Sequence, residues 1–501
     1  MTDARGQRTG LSYILIHRLR NSLMKVPCHL TVLLHLSIAA ACLFIVSQPA
    51  AAQEQKPRTP VILISIDGLK PEYVLVADAH GLKIPNLRSF VKDGTYSTGV
   101  HGVVPTVTYP SHTTILTGVS PAKHGIYANT TFDPLRKNNG GWYWYAEDIK
   151  VPTLWDVARE AGLTTANVHW PVSVAARIDW NLPQYWRAGT ADDRKLLRVF
   201  ATPGLLDALE KELGPYADGI DESIEGDENR AKFAARLLEL KHPDFATIYL
   251  TALDHEEHAS GPFSPKANAT LERIDATLGR ILDAVRRTYN GRAVVCVVSD
   301  HGFDPTSKAL HLAVAFRAAG LNDFDAKDQI KSWKASIWGA GGSEAIVLHD
   351  QNDSASKTKV AELLAKLAAD PANGIARIIP EEELDARGGF PDAAFLVALK
   401  PGYVTGENVS GDLVTSTTTK GMHGYWPDEA EMNSSFFLLG TGWAPHSLGE
   451  IDMRVIAPTI ALIWGIALPN AEARGILPVM TMVPKSQNDS TGQTSIARQR
   501  N

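Results

Sequence analysis

Ala293-Val-Val-Cys-Val-Val-Ser-Asp-His-Gly-Phe303 reads as a buried strand that ends on two metal-binding side chains. Its apolar run, Ala293–Val298, is β-branched and too short for a typical helix. Asp300 and His301 follow almost at once, and together they offer oxygen and imidazole donors suited to Zn²⁺. Val61–Ile66, Ala246–Leu250 and Phe436–Leu439 repeat the pattern of a short buried parallel strand. Between them lie amphipathic helical stretches such as Thr153–Ala161, Glu228–Leu240 and Ala267–Tyr289. Strands alternating with helices predict an α/β fold, a doubly wound and mostly parallel sheet with helices on both faces. Ligands of such sheets sit at the carboxyl ends of the strands, so the chemistry should follow the strands directly.

It does. Asp67 ends the Val61–Ile66 strand and precedes Gly68, although a plain turn aspartate would look the same. Asp254 and His258 follow the strand ending at Leu250, and their i, i+4 spacing lets both face one ion on a helical turn. His255, Glu256 and Glu257 compete within that cluster, and spacing alone does not choose among them. His423 lies in Lys420-Gly-Met-His-Gly-Tyr425, where glycines suit a tight loop presenting an imidazole. Thr108 lies in Val104-Pro-Thr-Val-Thr-Tyr-Pro-Ser-His112, ahead of the helical run Ser111–Thr117. Pro110 suits a first helical turn, so Thr108 falls at or just before the helix N-terminus. Backbone N–H groups there favour an anionic phosphoryl group. A simple N-cap threonine is the bland alternative, and as a nucleophile the hydroxyl needs a metal or base to activate it. Three carboxylates and three histidines suffice for two sites of three side chains each. Paired metal ions about 4 Å apart can clamp the attacking and leaving oxygens of an in-line displacement.

The rest of the chain bounds the reading. Its 501 residues, 44% hydrophobic and 21% charged, are those of a globular protein with a large core. A formal charge of -6, from 49 basic and 55 acidic residues, argues against a nucleic-acid polymer or an anionic membrane as partner. Residues 1–52 read as an N-terminal extension and signal peptide. Arg18, Arg20 and Lys25 precede the apolar run Leu30–Val46, and Ala50-Ala51-Ala52 forms the exit. An uncleaved anchor is the alternative, and Met24 is a second candidate start. Export to a bacterial periplasm or the medium is expected, with no stable membrane partner after signal removal. Cys28 and Cys42 would leave with the signal, so Cys296, mid-strand, is expected as a buried inert thiol. Residues 53–484 form the expected catalytic domain, with an insertion or cap at about 310–415. The Ser/Gln/Asn/Thr-rich tail 485–501 is expected to be disordered.

Taken together these motifs resemble the nucleotide pyrophosphatase/phosphodiesterase family of the alkaline phosphatase superfamily, across roughly 60 to 470. The resemblance rests on Ile64-Ser-Ile-Asp-Gly68, Pro105-Thr-Val-Thr-Tyr-Pro-Ser-His112, Thr117-Gly118, His124-Gly-Ile126 and Asn129. It also rests on Asp254 with His258, Ser299-Asp-His-Gly302 and Gly421-Met-His-Gly424. It implies an alkaline-phosphatase-like fold and two Zn²⁺, one held by Asp254, His258 and His423. The other would be held by Asp67, Asp300 and His301, with the Thr108 oxygen completing it. It further implies attack by Thr108 to give a covalent phospho-threonine, later hydrolysed by water, with Asn129 contacting a phosphoryl oxygen. Tyr109 and Tyr249 fall where family members place aromatic groups bordering a leaving nucleotide. The expected substrate is a small phosphodiester or nucleotide. Tyr109 and Ser111 depart from the family's usual Phe and Asn, which bears on nucleotide preference. Val168-His-Trp-Pro-Val172 resembles the diesterase branch, since it lacks the Lys or Arg of monoesterases. A phosphomonoesterase or phosphonate hydrolase of the same superfamily is the alternative. A catalytically inactive zinc-binding protein is a third reading, from a different class.

Overall fold

Three parallel strands set the centre of the molecule. The computed structural model describes residues 58–138, 141–186, 192–440, 443 and 445–476. In it Val61–Ile66 lies between Phe245–Leu250 and Val294–Val298, parallel to both. All three are buried along their whole length, which is why they read as continuous apolar runs rather than alternating ones. Thr165–Val168 and Trp180–Leu182 extend the sheet in parallel on one side. Phe436–Leu439, Thr95–Tyr96 and His446–Ser447 extend it on the other, giving eight strands among the described residues.

Successive side chains of Val61–Ile66 enter different clusters. Ile62, Ile64 and Ile66 pack with Phe233, Leu271 and Leu278. Val61 and Leu63 pack with Leu116, Trp155 and Ile460 on the opposite face. Helices therefore cover both faces, as the alternation of elements predicts. The helices run Leu154–Glu160, Ile224–Lys241 and Pro265–Tyr289, close to their expected bounds. Thr153 begins the first with a capping box, its side chain and that of Asp156 each accepting the other's backbone N–H.

One strand departs from expectation. Phe436–Leu439 pairs antiparallel with Val294–Val298, not parallel. The reason is topological. The chain reaches it from the His423 loop, at the carboxyl end of the parallel strands, and must run back from there. The sheet is consequently mixed, with a parallel centre.

The expected insertion contains a separate four-stranded antiparallel sheet. Its order is Ala335–Gly339, Ser343–Leu348, Ala393–Leu399, Ile375–Pro380. Trp338, Ala345 and Leu396 of this sheet share a cluster with Val104, Val107 and Tyr109, so the sheet is packed beside the Thr108 segment. From Thr59 onward the described residues form one compact unit. Cys296 is fully buried. The expected signal segment, residues 1–52, and the tail, 485–501, lie outside the described residues. No helix among those described is long and apolar enough to cross a membrane.

Candidate metal centre

The carboxyl ends of the three central strands deliver the donors. Asp67 follows Ile66 directly, and Asp300 and His301 lie two and three residues after Val298. The Ala252–Ser260 helix begins two residues after Leu250 and carries Asp254 and His258 on successive turns. His423 follows the short strand Gly421–Met422. Thr108 is the first residue of the Thr108–Thr117 helix, with extended Val107 before it.

Six of the singled-out side chains converge. Asp254, His258 and His423 present donor atoms within 4.8 Å of one another, as do Asp67, Asp254 and His301. Asp254 belongs to both groups: its Oδ2 lies 3.5 Å from His258 Nε2 and its Oδ1 3.6 Å from His423 Nε2. His301 Nε2 lies 3.1 Å from Asp300 Oδ2, 3.4 Å from Asp67 Oδ1 and 3.4 Å from the Thr108 hydroxyl. The His301 and His423 rings stack with centroids 3.7 Å apart. His258 turns Nδ1 to the Gly421 carbonyl at 2.9 Å, which leaves Nε2 to face Asp254.

Electrostatics across this cluster are unbalanced. Burial, then repulsion from Asp254, pushes the Asp67 and Asp300 carboxyls well above the usual carboxylate range. Asp254 is raised by burial and by Glu222. Burial, followed by the other imidazoles, holds His301 and His423 well below the usual histidine value. His258 is lowered by burial as well. Among the described residues the three carboxylates form ion-pair contacts with histidines alone, each held by burial below the usual histidine value. Asp67 Oδ1, Asp254 Oδ1, Asp300 Oδ2 and His423 Nδ1 have no hydrogen-bond partner. Buried orphan oxygens beside neutral imidazoles are what a bound cation would satisfy, and mixed oxygen and nitrogen donors suit Zn²⁺.

Asn129 sits beside Thr108, half-buried, with Oδ1 accepting the Tyr109 N–H at 2.9 Å. Tyr109 and Tyr249 are placed differently from a leaving-group border. Tyr109 is 1% exposed, and its hydroxyl donates to Gln184 at 2.7 Å. Tyr249 is 2% exposed, and its hydroxyl donates to Asp67 Oδ2. Neither ring offers an open stacking face, because the first lies in an aromatic cluster with Trp142 and Trp144 and the second is packed between the His112 and His169 rings.

Several supporting residues were not singled out by sequence reasoning. His112 bridges the Thr108 carbonyl and Ser65 Oγ, both at 2.8 Å, and lies 3.5 Å from Asp300 Oδ2. Its i, i+4 spacing from Thr108 was the available signal. Asp227 accepts from the Thr251 and Ala252 N–H groups at the start of the helix that carries Asp254. Gly68 has φ +72 and donates its N–H to Asp300 at 3.2 Å. A Cβ there would meet Glu257 Oε2 at 2.7 Å, so a side chain is doubly unfavourable. His169, in the segment compared with diesterases, is 1% exposed with both ring nitrogens unpartnered.

The model of the family described as type I phosphodiesterase/nucleotide pyrophosphatase matches residues 61–426. Ectonucleotide pyrophosphatase/phosphodiesterase family member 3 of Rattus norvegicus is 27% identical over 275 residues, covering 52% of this chain and 27% of the relative. A venom phosphodiesterase of Naja atra is 26% identical over 272 residues, covering 52% and 28%. The chain thus spans about a quarter of the length of these relatives. Human ectonucleotide pyrophosphatase/phosphodiesterase 5 superposes with TM-score 0.58 at 20% identity, covering 81% of this chain and 95% of that one. The murine counterpart, an inactive threonine-to-alanine variant in complex with AMP, gives TM-score 0.58 at 19% identity, covering 82% and 96%. These two likenesses establish a shared fold.

Proposed function

The chain belongs to the type I phosphodiesterase/nucleotide pyrophosphatase family, and from that premise we propose that it hydrolyses phosphodiester or pyrophosphate bonds, of nucleotides first, using Thr108 as nucleophile and two Zn²⁺ as cofactors. One observation carries the proposal: the donor groups meet beside a threonine hydroxyl at a helix N-terminus. Asp254, His258 and His423 would hold one ion, and Asp67, Asp300 and His301 the other. Asp254 lies within reach of both groups. Bound there, the ions would acidify the threonine hydroxyl and offset charge on the entering and leaving oxygens.

The chain's own groups do the remaining work. Val107 is extended and Thr108 opens the helix, so the first-turn N–H groups and dipole favour an anionic phosphoryl group. The Thr108 oxygen attacks phosphorus and the bond to the leaving oxygen breaks, giving a phospho-threonine. Water then cleaves the phosphorus–threonine oxygen bond and restores the hydroxyl. His112, held between the Thr108 carbonyl and Ser65, fixes the first helical turn. Asn129 takes up the Tyr109 N–H through Oδ1, an orientation that leaves its Nδ2 hydrogens for a phosphoryl oxygen. Among the described residues no Lys or Arg pairs with the three carboxylates, which favours diesters, since a monoester dianion calls for added cationic side chains. Residues 310–415 act as the cap in this reading, and residues 1–52 as the export signal.

The test is parallel hydrolysis of bis-p-nitrophenyl phosphate, thymidine 5′-monophosphate p-nitrophenyl ester and p-nitrophenyl phosphate by the zinc-loaded protein. Faster turnover of the diesters, abolished by a chelator, is expected. Preference for the monoester moves the protein to the phosphatase branch, and chelator-resistant turnover removes the metal ions from the reading.

A further inference from the structure

Thr130 stands where its carbonyl needs a partner from outside its own strand pairing. The segment around Asn129 runs antiparallel to residues 141–143. The Tyr143 N–H donates to the Asn129 carbonyl at 3.1 Å, and the Thr131 N–H to the Gly141 carbonyl at 2.7 Å. Thr130 faces Trp142 between those two bonds, so its own N–H and carbonyl point away from the pairing. Half-buried there, the carbonyl would be costly to leave unmet.

Trp338 meets it. The residue lies in Ala335–Gly339, the edge strand of the four-stranded antiparallel sheet, and its indole N–H donates to the Thr130 carbonyl at 3.1 Å. The Tyr127 ring meets the indole edge-on with centroids 6.4 Å apart, and the Phe132 ring lies tilted against it at 5.4 Å. Trp338 therefore touches the segment at positions 127, 130 and 132, on both sides of Asn129. The indole is itself wedged by Phe390, edge-on at 5.4 Å, and is buried with the same aromatic cluster.

We propose that Trp338 is a positioning residue of the phosphoryl site, holding the 127–132 segment so that the Asn129 amide reaches the phosphoryl oxygen beside Thr108. The proposal rests on the part given above to Asn129. Asn129 Oδ1 is committed to the Tyr109 N–H, so the direction of its Nδ2 hydrogens follows the backbone that carries it. The 141–143 pairing fixes one edge of that backbone, and the indole N–H fixes the other. A shift of the segment moves the amide relative to Thr108, and a misplacement of about 1 Å can cost about 10²-fold in rate. Trp338 acts through the Thr130 carbonyl, and the edge strand that bears it lies 208 positions further along the chain.

A double-mutant cycle of Trp338→Phe with Asn129→Ala tests it, since phenylalanine keeps a ring in the cluster and removes the N–H. The zinc-loaded full protein and its variants are compared in kcat and KM for bis-p-nitrophenyl phosphate, and in affinity for inorganic phosphate by isothermal titration. Trp338→Phe should lower kcat about tenfold, leave KM within about twofold and weaken phosphate about threefold. In the Asn129→Ala background the same change should alter kcat and phosphate affinity by less than about twofold. Equal losses in both backgrounds would make Trp338 a packing residue only and overturn the proposal. So would an Asn129→Ala variant that keeps both kcat and phosphate affinity, or a Trp338→Phe variant that does. Absent diester turnover with the cycle on phosphate affinity intact would instead remove the proposed reaction and leave the positioning standing. Should Trp338→Phe not fold, Phe132→Leu, which takes a ring away from the indole, goes through the same cycle. Its losses should likewise vanish without the Asn129 amide, and losses that persist overturn the proposal.

Discussion

Asp67 shows how much a single side chain depends on partners far away in sequence. One of its oxygens accepts from the Tyr249 hydroxyl, 182 residues on, and the other has no partner. Tyr249 is in turn packed edge-on against His112 and stacked along His169. Tyr249→Phe should therefore leave the fold intact and lower zinc affinity or turnover by about 10- to 100-fold, the range for losing an outer hydrogen bond to a metal ligand. Competition with a chelating dye measures it, and unchanged affinity would leave the hydroxyl no part in holding Asp67. The donors themselves were legible, because Asp67, Asp300 and His301 stand at the ends of apolar runs that can only be strands. The tyrosines were not, since burial and hydroxyl partners arise from contacts between distant strands that no local pattern records.

Among the elements, the Ala252–Ser260 helix is the one whose placement decides the centre, because Asp254 serves both donor groups. Its start is pinned by Asp227, whose two oxygens accept from the Thr251 and Ala252 N–H groups at 3.0 and 2.8 Å. Asp227 also pairs with Arg230 at 3.1 Å, both side chains having no exposure. Asp227→Asn should cost about 3 kcal/mol in urea unfolding at neutral pH, since removing one member leaves a buried guanidinium uncompensated. A loss below about 1 kcal/mol would mean that the pair does not anchor the helix. Helix positions were readable from the sequence to within a few residues, but this anchor was not. Asp227 and Arg230 look like ordinary polar residues of an amphipathic helix until its neighbours bury them. The direction of Phe436–Leu439 was hidden for a related reason: an apolar run has the same composition whichever way it is threaded.

At the scale of the whole molecule, the metal centre links stability to pH. Asp300 is raised to about 8, mainly by burial and by Asp254, so the metal-free fold holds protons that an unfolded carboxylate releases. That contribution is full below the ordinary carboxylate value of 3.8 and is lost as pH rises through about 8. The centre's histidines, lowered in the fold, add nothing further once pH exceeds the ordinary histidine value of 6.5. Between pH 6.5 and 8 the chelated protein should thus lose thermal stability. Over the same window the gain in Tm from a fixed zinc concentration should grow, because the ion no longer has to displace carboxyl protons. A gain that shrinks with rising pH would contradict the assigned ligands. The parallel centre was foreseen from composition and order, yet the packing of Trp338 into one cluster with Tyr109 was not, since the two are 229 positions apart in the chain.

The central claim is that Thr108 performs the displacement at this centre. Its most direct test is turnover of bis-p-nitrophenyl phosphate by Thr108→Ala, with zinc content measured on the same sample. Turnover should fall by about 10³-fold or more while zinc is retained, as for loss of a nucleophile. Turnover equal to that of the unaltered protein would contradict it.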